Sequence, residues 1–252
     1  YADGGWDAVK HDAEEKADLL LSLGINVNLA PVCDMTSDEY GFMYDRSFSS
    51  DVDMENRYVR TVVETSKSKK LGTVLKHFPG YGNNSDTHTG IAYDDRDYSE
   101  FENTDFKPFY QGIESGADCI LVSHNIVNCM DSEYPASLSQ KVHDILRNEF
   151  KFDGVIMTDD LIMDAITDFT GDEAAAVTAA KCGNDLLCCS SVDTQYPAVL
   201  EAVQNGEISE AQVDASVKRI LKWKQNLGIF SIDTYQKKVK STEPTDTVGS
   251  EE

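Results

Sequence analysis

The stretch Thr73-Val74-Leu75-Lys76-His77-Phe78 has the length and the mostly apolar, partly β-branched composition that predict a buried strand. Apolar residues at helical spacing precede it and predict a helix over 53–71, which ends at Gly72. A long loop and a predicted helix over 104–115 follow it. A strand with helices on both sides is typical of a βα repeat, and such repeats build a parallel sheet covered by helices.

The same alternation extends over most of the chain in both directions. Four further strands are predicted, at 25–32, 119–124, 154–159 and 185–189. Five further helices are predicted, at 7–23, 139–149, 172–182, 194–204 and 209–227. The near-continuous apolar strands fit burial on both faces of an α/β sheet. Five strands suffice for a doubly wound sheet, whereas a closed eight-stranded barrel requires strands that are missing or unrecognised here.

The composition excludes several classes of function. The 252 residues carry 22 Lys and Arg against 45 Asp and Glu, a formal charge of −23, and 40% of them are hydrophobic. We therefore expect a sizeable core, and an acidic surface that disfavours nucleic acid and anionic membranes as partners. No apolar run has the length of a membrane span. The six cysteines form no C-x-x-C pair, so we expect buried thiols and no structural zinc.

Polar side chains gather where the predicted strands end. They are Asp34 after the first strand, Lys76 and His77 in the second, Ser123, His124 and Asn125 in the third, and Asp159 and Asp160 in the fourth. The carboxyl ends of parallel strands share one edge of a sheet, and ligands of α/β folds bind at that edge. The sequence therefore predicts one shared rim of titratable groups.

A loop with two glycines and a proline follows the strand at 73–78, and beyond it lie Asp86 and His88. Side chains two residues apart point the same way in an extended chain. A carboxylate beside an imidazole orients it and favours its charged form, which suits a general acid that later acts as a base. An ordinary loop with a surface histidine is the alternative for such a pair taken alone.

Other rim residues also have structural alternatives. Spacing alone allows either Asp159 or Asp160 to be a nucleophile, because alternation turns one inward and the other away, and the second then serves as a helix cap or a surface carboxylate. For Lys76 and His77 the alternative is a buried ion pair with Asp34 or Asp159, which is compatible with sugar binding. For His124 a structural hydrogen bond is favoured over catalysis. The predicted helices carry His11 and His143, which we interpret as surface or packing residues.

The stretch 76–88 resembles the K-H-F-P-G-x-G…D-x-H signature of glycoside hydrolase family 3, in its β-N-acetylhexosaminidase branch. Four more segments resemble motifs of that family in the same order. They are Asn28-Leu29-Ala30-Pro31-Val32-Cys33-Asp34, Asp45-Arg46-Ser47-Phe48-Ser49, Pro135-Ala136-Ser137-Leu138-Ser139 and Gly154-Val155-Ile156-Met157-Thr158-Asp159-Asp160-Leu161. The resemblance extends from about residue 12 to 230, and five ordered motifs together are far more specific than any one of them.

The resemblance implies a TIM-type (β/α)8-like barrel and a retaining exo-β-N-acetylglucosaminidase that needs no metal or organic cofactor. Asp159 corresponds to the nucleophile, and Asp86 with His88 to the acid/base pair. Asp159 attacks the anomeric carbon, and His88 first protonates the leaving oxygen and then deprotonates water. The substrate-binding residues are Arg46, Lys76 and His77, to which we add Asp34 and His124 from the same rim. The carbohydrate substrate is a cell-wall muropeptide, a glycoprotein or a chitin-derived sugar.

Two departures from the family pattern stand out. Tyr81 occupies a position where the family often has histidine. The family also carries a strand ending in a D-x-E-G-G-like segment before its first helix, and nothing before residue 7 matches it. We therefore expect the barrel to be incomplete at the N-terminus, lacking two strands and a sugar-binding aspartate. Weak stability, association through open barrel edges or impaired activity would follow.

The chain is expected to divide into one catalytic domain over 1–230 and a polar C-terminal tail over 231–252. Three other functions stay open: a β-glucosidase or β-xylosidase, whose acid/base usually comes from a second domain; a phosphorylase that replaces water by phosphate; and a non-catalytic sugar-binding domain. Asp86 and His88 disfavour the first of these. The compartment also stays open, with a secreted or cell-surface bacterial location favoured over the cytoplasm.

Overall fold

The computed structural model describes residues 4–84, 86–87 and 90–236, without the side chains of 172 and 173. Strands and helices alternate along it. They are α1 Gly5–Ser22, β1 Val27–Asn28, α2 Val52–Ser68, β2 Gly72–Phe78, β3 Tyr93–Asp94, α3 Tyr98–Asn103, α4 Phe106–Glu114, β4 Cys119–Val122, β5 Ile126–Val127, α5 Gln140–Asp144, β6 Val155–Thr158, α6 Asp164–Thr170, α7 Asp172–Lys181, α8 Val192–Gln204 and α9 Glu210–Asn226.

The main sheet has four parallel strands in the order β1-β2-β4-β6. Val74 pairs with Cys119, and Cys119 pairs with Val155, so the carboxyl ends of the strands lie along one edge. Beyond β6, the predicted strand at 185–189 is reduced to one bridge between Met157 and Leu186. The predicted parallel α/β fold is confirmed, and the sheet formed by the described residues is open instead of closed into a barrel.

Both faces of the sheet are buried, because side chains of successive strand residues point to opposite sides. Leu75, Ile120 and Ile156 pack with the helices that cover one face, among them Val59 of α2 and Phe109 of α4. On the other face Val74, Leu121 and Met157 pack against α9, which contributes Trp223 and Leu227. Burial of each such apolar side chain stabilises the fold by about 1.5–3 kcal/mol. This core holds the strand ends that carry the polar rim.

Several elements differ from the predictions. The predicted strand at 25–32 pairs regularly only over Val27–Asn28, since Pro31 has no N–H to donate to the ladder. Helix α3 was not predicted, although Asp97 and Glu100 form a capping box at its start. Helix α6 and the small parallel pair β3–β5 were not predicted either.

At the C-terminus, residues 231–236 are exposed and include a short helical turn. The rest of the predicted tail, 237–252, lies outside the described residues. No helix in the described part of the chain is long and apolar enough to cross a membrane.

Candidate active site

A buried carboxylate–imidazole pair lies at the rim. Asp34, beyond β1, accepts hydrogen bonds at Oδ2 from the backbone N–H of His77 (3.0 Å) and from its ring Nδ1 (2.7 Å). The other oxygen, Oδ1, accepts the backbone N–H of Tyr81 (2.8 Å). Both Asp34 and His77 are at least 97% buried. Asp34 therefore fixes the end of β2 and the start of the loop after it, and its oxygens are used within the protein.

Arg46 extends this pair toward the rim. Its Nη2 lies 3.2 Å from Nε2 of His77, and its guanidinium lies 5.1 Å from the ring centre of Phe42. A guanidinium can only donate, so Nε2 accepts and the proton of the neutral ring is on Nδ1, where it is donated to Asp34. In the hydrogen-bond chain Arg46–His77–Asp34, Arg46 therefore donates to His77 and His77 donates to Asp34. His77 thereby orients the guanidinium of Arg46.

Lys76 connects this chain to Asp159. Lys76 is half-buried, and burial together with the Arg46 cation lowers its pKa, while the carboxylates of Asp159 and Asp34 oppose the shift. The charges of Arg46, Asp159 and Asp34 therefore all act on Lys76, although these residues are far apart in the sequence. Two cationic donors and one carboxylate at a half-buried rim can bind the hydroxyl groups of a sugar.

The two neighbouring aspartates have different surroundings. Asp160 accepts hydrogen bonds from the backbone N–H groups of Ser190 (3.1 Å) and Ile162 (3.2 Å), and its other oxygen accepts from the Ser190 hydroxyl. Asp159 accepts the N–H of Asp160 at Oδ1 (2.9 Å) and is half-buried beside Lys76. Asp160 therefore braces the turn at Ile162 and the Ser190 segment. Helix α6 has no side-chain cap at its start, so these contacts are not those of the helix cap weighed for Asp160.

His124 holds the backbone at Asp160, in the turn after β6. It is fully buried, its Nε2 donates to the carbonyl of Asp160 (3.0 Å), and its Nδ1 lies 2.7 Å from the hydroxyl of Ser137. Burial lowers the pKa of His124, and the Asp159 carboxylate opposes that shift. Both ring nitrogens are therefore engaged by protein atoms, which is the structural role weighed above for this residue.

The loop after β2 places Asp86 in the same region. Asp86 is half-buried, and the next residue, Thr87, is fully buried against the hydroxyl of Tyr81, with 2.5 Å between the two oxygens. Burial raises the pKa of Tyr81, and the carboxylates of Asp159, Asp34 and Asp86 add to the rise. Carboxylates from three chain segments thus act electrostatically on one hydroxyl. The predicted acid/base residue His88 lies outside the described residues.

Comparison with known proteins settles the family. The sequence model of the glycosyl hydrolase family 3 N-terminal domain matches residues 2–223. The chain belongs to glycoside hydrolase family 3. This confirms the resemblance drawn from the five motifs.

This family 3 chain is 34% identical over 199 residues to a beta-hexosaminidase of Hydrogenovibrio crunogenus, covering 77% of the chain and 55% of the relative. A solved family 3 beta-N-acetylglucosaminidase from Paenibacillus sp. FPU-7 superposes with a TM-score of 0.85 at 30% identity, covering 90% of this chain and 44% of that one. A beta-glucoside phosphorylase has a TM-score of 0.84 at 24% identity, covering 89% and 43%, which shows the shared fold alone. The chain spans about half the length of the curated relatives it matches.

The sequence analysis missed one buried and one partly buried group of this family 3 domain. Glu55 on α2 accepts the N–H of Ser49 (3.0 Å) beneath the loop that carries Arg46, and burial raises its pKa to about 9. Arg96 lies between Asp94 and Asp105, with Nη1 2.9 Å from the latter, and its Nη2 donates to the carbonyl of Gly80 (3.3 Å). A carboxylate at an inward position of an amphipathic helix was the available signal for Glu55. No local signal pointed to the contacts of Arg96.

Among the described residues, no group of three or more His, Cys, Asp or Glu side chains is arranged to hold a metal ion. The described part of the rim offers hydrogen-bond donors and half-buried carboxylates. This arrangement can bind a polyol and carry out nucleophilic and proton-transfer chemistry.

Proposed function

We propose that residues 1–230 form the catalytic domain of a retaining exo-β-N-acetylglucosaminidase, with Asp159 as nucleophile and Asp86–His88 as the acid/base pair. One observation supports the proposal: the carboxylates of Asp159 and Asp86 both act electrostatically on the hydroxyl of Tyr81, whose ring contacts His77 of the Arg46–His77–Asp34 hydrogen-bond chain. The beta-hexosaminidase and beta-N-acetylglucosaminidase among the similar proteins support the choice of sugar.

The proposed reaction has two steps. Asp159 attacks the anomeric carbon, the glycosidic bond breaks, and His88 gives its proton to the leaving oxygen. His88 then takes a proton from water, which attacks the glycosyl-enzyme and releases the sugar with retained configuration. Arg46 and Lys76 donate hydrogen bonds to the sugar hydroxyls, and His77 with Asp34 holds Arg46 in place. Terminal β-linked N-acetylhexosamine of glycans or muropeptides is the proposed substrate.

The experiment is to trap the covalent intermediate. The chain is incubated with a slowly hydrolysed fluorinated N-acetylglucosaminide, and the labelled peptide is identified by mass spectrometry. We expect the label on Asp159 in the unsubstituted chain and in Asp160→Asn, and no label in Asp159→Asn. Turnover with the label on Asp160, or turnover without any adduct, contradicts the proposal. Sugar binding without turnover or adduct supports the non-catalytic binding domain instead.

A phosphorylase is a second candidate because the proposed proton carrier is an imidazole instead of a carboxylate. Two cations, Lys76 and Arg46, also lie at the rim, and a carboxylate acid/base would repel phosphate more strongly than a histidine does. Product analysis with and without inorganic phosphate distinguishes the two reactions. Release of free N-acetylglucosamine at an unchanged rate in both conditions supports the hydrolase, and formation of the sugar 1-phosphate supports the phosphorylase.

A further inference from the structure

Tyr81 contacts the Asp34–His77 pair and also Thr87, in the loop that carries Asp86. Its backbone N–H donates to Asp34 (2.8 Å), and its ring meets the ring of His77 edge-on, with 5.3 Å between the ring centres. Its hydroxyl forms the 2.5 Å hydrogen bond with Thr87. One side chain therefore connects the Asp34–His77 pair at the end of β2 with the loop that carries Asp86.

The backbone around Tyr81 has little freedom to move. Gly80 and Gly82 have φ angles of 122° and 53°, which favour glycine. A Cβ at Gly80 would lie 2.3 Å from Asp105 Oδ1, and one at Gly82 would lie 2.8 Å from the guanidinium carbon of Arg96. The chain on both sides of Tyr81 thus packs directly on the Arg96–Asp105 ion pair. Tyr81 itself is 99% buried, so its hydroxyl has a fixed position.

Thr87, the hydrogen-bond partner of the Tyr81 hydroxyl, lies between the two predicted acid/base residues in the sequence. Thr87 is fully buried and is covalently joined to Asp86 on one side and to His88 on the other. Holding the Thr87 side chain limits where the side chain of the neighbouring Asp86 can point. Because burial and three nearby carboxylates raise the pKa of Tyr81, the phenol keeps its proton and the hydrogen bond persists at neutral pH.

We propose that Tyr81 is a positioning residue: its hydroxyl, acting through Thr87, sets the place of Asp86, the carboxylate of the predicted acid/base pair, relative to the sugar subsite. This inference rests on the proposed function, since it concerns the delivery of a proton to the leaving group. A tyrosine that serves only the core would affect all substrates alike, whereas a positioning residue matters most where protonation is most needed.

The test compares Tyr81→Phe, which removes only the hydroxyl, with Thr87→Val, which removes the partner. The values of kcat/KM are measured on chitobiose, a poor leaving group, and on dinitrophenyl N-acetylglucosaminide, which needs little protonation. We expect each variant to lose at least tenfold on chitobiose and less than threefold on the dinitrophenyl substrate. The double variant is expected to lose no more than either single variant, because both remove the same contact.

Tyr98→Phe is the matched control, since the Tyr98 hydroxyl donates to Glu149 (2.7 Å) in another part of the protein. It should leave both substrates unaffected. Equal losses on the two substrates in Tyr81→Phe, or losses that simply add in the double variant, overturn the positioning role while the proposed function stands. An unsubstituted chain that hydrolyses neither substrate removes the proposed function, and the positioning role falls with it.

Discussion

The Asp34 carboxylate accepts a 2.7 Å hydrogen bond from Nδ1 of His77, and the two residues lie 43 positions apart in the sequence. The pair is buried beneath the rim, and Asp34 also holds the N–H of Tyr81. It joins the end of β2 to the segment after β1. The geometry of the candidate sugar subsite therefore depends on a buried contact within the protein.

Replacing Asp34 with alanine should strongly destabilise the fold. The change leaves the His77 ring and two buried N–H groups without their acceptor, and breaking a buried pair typically costs about 3–5 kcal/mol. Urea unfolding monitored by circular dichroism measures the loss. Asp34→Asn, which keeps one acceptor oxygen, should lose less. A midpoint of Asp34→Ala equal to that of the unsubstituted chain would show that the pair contributes nothing to stability.

Glu55 should make stability fall as the pH rises. Burial raises its pKa from 4.5 to about 9, so the folded state keeps a proton that the unfolded state has released. The unfolding free energy therefore decreases between about pH 4.5 and pH 9. Glu55→Gln, a neutral isostere, should show a flatter profile and be more stable than the unsubstituted chain at pH 8. Urea unfolding at several pH values tests this, and parallel profiles would contradict it.

Asp159→Asn should abolish turnover, with a loss of about 10³-fold or more in kcat/KM. No other described carboxylate at the rim has the same surroundings, so none is expected to replace Asp159 as nucleophile. Asp160→Asn should act mainly through the Ser190 contacts, with a much smaller loss and a lower melting temperature. Steady-state kinetics on a chromogenic N-acetylglucosaminide, with thermal unfolding of both variants, compares them. The reverse ranking would mean that the second aspartate is the nucleophile.

His88→Ala should be sensitive to the leaving group. General acid catalysis contributes about 10²–10⁴-fold, and substrates with good leaving groups need least of it. We expect a large loss of kcat/KM on natural glycans and a mild one on dinitrophenyl glycosides. A series of aryl glycosides of graded leaving-group pKa measures the slope. A slope identical to that of the unsubstituted chain would remove the acid role from this residue.

The exposed apolar side chains near β1 should promote association between copies of the chain. Leu19, Leu23, Ile25 and Leu29 are 60%, 66%, 43% and 43% exposed, next to a strand at the edge of the sheet. Sedimentation velocity over a hundredfold concentration range should show a concentration-dependent shift that Leu19→Lys with Leu23→Lys reduces. A single monomeric species at all concentrations would contradict this expectation.

Much of the fold was predictable because apolar periodicity and glycine stops are local signals. They located the predicted helices to within a few residues and the ends of β2, β4 and β6 closely enough to place His77 and Asp159 at one edge. They failed at β1, which Pro31 interrupts, and at β3–β5, whose two-residue strands are too short to show a period. The capping box of α3 was a local signal that remained unused.

By itself, the sequence determined a parallel α/β fold, family 3 membership and the set of polar residues at the strand ends, because these follow from patterns between near neighbours. Only the tertiary structure decided what each polar group does: Asp34 holds His77, Asp160 holds the Ser190 segment, and Tyr81 holds Thr87. The first two of these contacts join residues 30 or more positions apart, so they depend on strand order and register. The third needs the loop after β2 to fold back on itself, which the packing of its glycines on Arg96 and Asp105 allows.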